Sequence, residues 1–79
     1  MPMAIIRVVE GVLDERGKQE VVERVTDVLV ETEGRGNEAF RPYVWVILEE
    51  VASGHWGVGG HGLTPDDVRA LVNAGGDGA

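Results

Sequence analysis

The 79-residue chain contains no cysteine. A disulfide framework and a cysteine-based zinc site are therefore both excluded. A domain this small buries only roughly 60% of its unfolded surface, so helix packing or association with another chain must supply the remaining stability. Lack of cysteine also fits a reducing compartment. Basic residues are scarce: seven Lys and Arg stand against fourteen Asp and Glu, a formal charge of −7. That balance argues against nucleic acid, whose binding rests on cations that neutralise phosphates, and against an anionic membrane surface. No apolar run approaches the roughly 18 residues of a membrane span. The start of the chain lacks the charged head, long apolar stretch and small-residue cleavage site of a secretory signal. The expectation is a cytoplasmic protein with no nucleic-acid or membrane partner. What is present is globular in composition, 43% apolar and 27% charged, and short enough for one domain at most.

The order of elements can be read from patterning. Met3–Val9, MAIIRVV, is apolar on both pleat faces apart from Arg7, the pattern of a buried parallel strand, and Glu10-Gly11 ends it. Within 14–34, Val21, Val22, Val25, Val28 and Leu29 form one helical stripe, with Asp14 as N-cap and Gly34 as stop. Gly17 costs the first turn about 1 kcal/mol relative to Ala, so packing must hold this Val-rich helix. Residues 35–41 read as a polar loop and 42–51, PYVWVILEEV, as a second strand with Pro42 at its first position. A connection of about 30 residues between the strands suits a right-handed crossover. The glycine-rich 53–63 predicts a short strand or hairpin around Trp56 and Val58. Thr64-Pro65-Asp66-Asp67 opens a second helix with Val68, Leu71 and Val72 on its apolar face, and 73–79 reads as a frayed tail. The fold expected is α/β (α+β): a single β-α-β domain over 2–63, followed by a short C-terminal helix and tail over 64–79. Two strands apolar on both faces leave one sheet face and two edges to be covered by another chain. The expectation is a dimer that extends the sheet, and a larger ring of such dimers.

Few residues offer chemistry. His55 and His61 have no third ligand at a motif spacing, so no metal site is expected. The segment GVGGHG lacks both the GxGxxG spacing and the P-loop Lys, so no nucleotide cofactor is expected. Glu10, Glu49 and Glu50 read as solvation of strand ends, and Ser53 has no partner base nearby in sequence. Pro2 remains. It can be a strand-end residue whose missing N–H costs no ladder bond. Alternatively, with Met1 removed, it becomes a secondary amine at the chain terminus, and Pro is small enough for aminopeptidase trimming.

Pro2, the apolar strand, Glu10-Gly11, the acidic start of an amphipathic helix, the second strand and Gly54-His55-Trp56-Gly57-Val58-Gly59-Gly60 together resemble the 4-oxalocrotonate tautomerase family over residues 2–60. That resemblance implies a β-α-β protomer, dimers with a four-stranded sheet, and commonly a trimer of dimers. It implies Pro2 as general base or nucleophile and no cofactor. The terminal amine has a reference pKa of about 7.7–8.0, proline is more basic, and apolar burial lowers the value. A neutral amine can then move a proton next to a carbonyl or add to an aldehyde.

The sequence departs from the family pattern where substrate is held. Of the two arginines that hold the dicarboxylates of the well-studied isomerases, one follows Glu-Gly, where Val12 stands here, and the other lies in strand two, where Trp45 stands. Arg7, Arg35 or Arg41 could enter from another direction, with Arg41 favoured because it stands at the mouth of strand two. Otherwise Val12, Trp45 and Trp56 make a dry, aromatic-walled pocket for an apolar or aryl carbonyl compound. Arg7 and Trp45 also suit subunit packing, and Arg41 suits solvation. A second, different subunit supplying the arginines stays open. The expected function is a small-molecule isomerase (keto–enol or double-bond tautomerase) using Pro2. The competing reading is a non-catalytic or differently active oligomeric binding or structural member of the same family.

Overall fold

The computed structural model describes residues 1–76. The order is β1 (Met3–Val9), α1 (Glu15–Thr32), a 3-10 helix (Glu38–Tyr43), β2 (Trp45–Val51), β3 (Trp56–Val58), β4 (His61–Leu63) and α2 (Pro65–Gly76). β1 neighbours β2, and β3 pairs with β4. Two units divide the chain: Met1–Ile6 with Asp14–Glu49, and Arg7–Leu13 with the chain from Glu50 onward.

In the first unit, α1 begins where Asp14 leaves the helical region (φ −79°, ψ 177°) and its carboxylate accepts from the Gly17 N–H at 2.7 Å. This satisfies one of the donors that a helix start leaves unpaired. Two rows along α1 lose solvent: Val21, Val25 and Leu29, and Val22, Thr26 and Val30. Val30 is the most buried residue, 2% exposed, while Val28, expected on the stripe, is 55% exposed. The reason is the i, i+4, i+8 row from Val22, which passes through Thr26 to Val30 and turns Val28 outward. Thr26 tolerates its place because its hydroxyl donates to the Val22 carbonyl at 2.8 Å.

The end of α1 is closed by Phe40. A Cβ on Gly34 would lie 2.7 Å from both the Phe40 ring and the Val30 carbonyl oxygen, so only glycine fits there. The segment expected to be a loop and a strand start is a 3-10 helix instead. The Asn37 side chain accepts from the Ala39 N–H at 3.0 Å, and the Val44 N–H donates to the Arg41 carbonyl at 3.1 Å. Pro42 sits inside this helix, whose φ it already has, and β2 therefore starts at Trp45.

The strands of this unit alternate. Ala4, Ile6, Val46 and Leu48 are half-buried. Met3, Ile5, Trp45 and Ile47 are exposed by 57, 46, 55 and 39%. One pleat face of the sheet is thus apolar and uncovered in the single chain.

In the second unit, the Glu10 N–H donates to the Val51 carbonyl at 2.7 Å. In the first, the Trp45 N–H donates to the Pro2 carbonyl at 3.1 Å. Partner numbers rise together, so β1 and β2 run parallel. Gly11, at φ +90°, turns the chain out of β1, and the Val12 N–H donates back to the Val9 carbonyl at 3.3 Å. The hairpin is antiparallel with Trp56 opposite Leu63 and Val58 opposite His61. Its turn residues Gly59 and Gly60 have φ of +58° and +87°, the two positive values of a type I′ turn. A side chain at Gly62 would run into the Gly54 carbonyl, so the return strand passes flush against that loop.

α2 opens with a reciprocal cap. The Thr64 N–H donates to the Asp67 carboxylate at 2.9 Å, and the Asp67 N–H donates to the Thr64 hydroxyl at 3.3 Å. The helix takes in the expected tail as far as Gly76, and residues 77–79 lie outside the described residues.

Candidate active site

Pro2 is half-buried one residue ahead of β1, and its carbonyl is held by the first N–H of β2. A residue without an N–H loses nothing there. Met1, 77% exposed, is joined to it, so the Pro2 nitrogen is an amide whose lone pair is delocalised. Removal of Met1 would leave a secondary amine on a half-buried residue beside Trp45. Of the candidate residues, Pro2 and Trp45 are brought together in this way.

Val12 and Trp56 belong to the second unit. Val12 is half-buried on the turn after β1, and Trp56 is half-buried at the head of β3. Arg7 is exposed, in the part of β1 that belongs to this unit. Arg41, in the first unit, is engaged elsewhere: its Nη2 lies 2.8 Å from Asp27 Oδ1 and its Nε 3.1 Å from Glu38 Oε1. Hydrogen bonds to Glu38 first and Asp27 second raise its pKa further above the ordinary guanidinium value. To grip a substrate, Arg41 would have to leave two carboxylates. Arg35 occupies the turn after α1 at φ +51°.

Two groupings escaped sequence reasoning. Arg69 on α2 donates from Nη2 to the Gly11 carbonyl at 3.1 Å, and its Nη1 lies 3.0 Å from Asp66. The Asp66–Arg69 spacing signals only the local pair; nothing in the sequence links Arg69 to Gly11. His61, first considered with His55, instead places Nε2 3.0 Å from Asp67 Oδ2. The Asp67 carboxyl is held below the usual carboxylate range by the Thr64 backbone N–H foremost, then by His61 and the Thr64 hydroxyl. Among the described residues no three His, Cys, Asp or Glu are grouped to hold a metal ion. A shallow concavity of about 440 Å³ on α1 is lined by Arg16, Gln19, Glu20 and Glu23, with none of the candidate residues in it.

A parallel strand–helix–strand with a proline at its head and a glycine-rich hairpin behind it defines a small mixed α+β protein. The family model for tautomerase enzymes matches residues 2–65, and the chain belongs to that family. Among solved structures it is similar to a 4-oxalocrotonate tautomerase isozyme from Methylibium petroleiphilum, at 31% identity and TM-score 0.66, over 85% of this chain and 97% of that one. DmpI from Helicobacter pylori is similar at 30% identity and TM-score 0.64, over 78% and 95%. TomN, a 4-oxalocrotonate tautomerase homologue of the tomaymycin biosynthetic pathway, is similar at 28% identity and TM-score 0.64, over 87% and 95%. No curated protein matches the chain. Membership assigns the general function, tautomerase chemistry of the isomerase type.

Proposed function

We propose that the chain is a small-molecule isomerase in which Pro2, freed of Met1, is the general base. The observation that carries this reading is the position of Pro2. It is the residue at which the family match begins, and it is half-buried, with its carbonyl bonded to β2 and no N–H to satisfy. As a neutral secondary amine it takes a proton from the carbon next to a carbonyl, leaving an enolate or dienolate. The resulting ammonium returns that proton to oxygen or to a more distant carbon. Half-burial favours the neutral amine by disfavouring its charged form.

The substrate we infer is an apolar or aryl carbonyl compound. The residues we assign to substrate contact, Val12, Trp45 and Trp56, carry no charge, and the Arg41 guanidinium is matched by Asp27 and Glu38. A dicarboxylate would therefore lack the two cations that hold it in the well-studied isomerases. The working form is a self-assembly, at least a dimer, that buries the face of Met3, Ile5, Trp45 and Ile47.

Intact mass and one substitution test the reading. Purified protein should weigh one methionine less than the full chain. It should ketonise enol phenylpyruvate, and Pro2→Ala should lower kcat/KM by about 100-fold or more, the upper range of general-base effects. Equal rates for the two proteins would overturn the proline mechanism. A retained Met1 would favour the second reading, an oligomeric binding or structural member, because an acylated Pro2 nitrogen is no base.

A further inference from the structure

All of α2 after its first residue lies beyond the region matched by the family model, which ends at Pro65, yet it is tied to the turn that follows β1. Gly11 is held from three sides within one unit. Its carbonyl accepts from Arg69 Nη2 at 3.1 Å, and its N–H donates across a longer 3.4 Å to Glu50 Oε2. Its Cα faces the Pro65 ring, so closely that an added Cβ would sit 3.1 Å from Pro65 Cγ. Arg69 is aimed by Asp66 one helical turn earlier, at 3.0 Å. The Thr64–Asp67 cap fixes the end of the helix from which both side chains project. The next residue after Gly11 is Val12, a proposed wall of the substrate pocket.

We propose that Arg69 is a positioning residue: α2 acts as a brace that clamps the Gly11 carbonyl and so fixes where Val12 stands. This rests on the reading of Val12 as a pocket wall. A guanidinium on a main-chain carbonyl suits the role, because the charge strengthens the hydrogen bond while the acceptor is part of the turn itself. Glycine at position 11 is favoured by its φ of +90°, and the nearness of Pro65 leaves little room for a Cβ. The brace acts on binding of substrate and transition state alike, so its loss belongs in KM.

The test compares wild type, Arg69→Met and Arg69→Lys in the full chain. Met keeps the stem and the helix propensity of Arg but removes the donors, and Lys restores one donor. Amide exchange of Gly11, Val12 and Leu13 should quicken about tenfold or more in Arg69→Met, with α1 amides unchanged, and should largely recover in Arg69→Lys. With enol phenylpyruvate, Arg69→Met should raise KM about fivefold with kcat within twofold, and Arg69→Lys should reverse most of this. Unchanged exchange overturns the brace. Faster exchange with unchanged KM overturns its role in the site, and a fall in kcat at constant KM places Arg69 in the chemistry instead. Pro2→Ala run alongside decides the proline reading separately, and the exchange result judges the brace whether or not the probe is turned over.

Discussion

Pro2 owes its place to a backbone bond, not to its ring: the Trp45 N–H holds its carbonyl at 3.1 Å. Substituting Pro2 should therefore leave the strand paired while replacing the secondary amine by a primary one, so Pro2→Ala probes the chemistry of the proline nitrogen with the pairing kept. Val12→Arg together with Trp45→Arg should raise kcat/KM toward an unsaturated dicarboxylate relative to enol phenylpyruvate. Steady-state comparison of the two substrates measures this, and no gain would speak against these two positions as the pocket wall. A second residue-scale prediction concerns Asp67. Its folded pKa is lowered, so its contribution is present above the ordinary carboxylate value and is lost as pH falls through the folded one. Melting temperature should decline on acidification from pH ~5 to ~2 in wild type, and that decline should be shallower in Asp67→Asn. Positions tied to a local pattern are legible in the sequence: Pro2 ahead of a strand, Trp56 in a short strand among glycines, Thr64 at a helix cap. Arg69 is not, because its partner Gly11 is distant in sequence and a main-chain carbonyl leaves no sequence signal.

The helix ends show which local signals suffice for an element. Asp14 and Thr64 were read as caps, and both side chains accept the expected N–H. The stretch before β2 departs from the expected strand because Pro42 is compatible with a strand start and with a 3-10 helix. The decision falls to Asn37 and to Phe40, whose ring covers Gly34. The α1 stripe is legible in period but displaced at one residue, since Val28 and Val30 are equally apolar and only burial in the fold separates them. Gly34→Ala should destabilise the chain by about 1–3 kcal/mol, the usual cost of overpacking. The reason is that its Cβ would meet Phe40 and the Val30 carbonyl at 2.7 Å. A urea midpoint shift at unchanged slope would measure it. Ala at the exposed, unobstructed position 57 should cost far less.

For the molecule as a whole, the decisive feature is the uncovered face of Met3, Ile5, Trp45 and Ile47. The expectation of strands apolar on both sides rests on their unbroken apolar runs, and alternation of burial shows which half each residue joins. A partner for the outer half would leave no local signal, because association depends on surfaces of another chain. If that face is self-complementary, the melting temperature should rise with protein concentration. Ile47→Lys should abolish that dependence and lower the sedimentation coefficient to the monomer value, since an ammonium buried without a partner is strongly unfavourable. Wild type sedimenting as a monomer at all concentrations would remove self-association from the account.

The bond from Trp45 to Pro2 also sets a clock. β1 has no strand to pair with until residue 45 has been made, so its first residues leave the ribosome as unpaired chain. Until then the Pro2 carbonyl lacks the N–H that holds it in the fold, so the head of the chain is fastened late, by a residue far along the sequence.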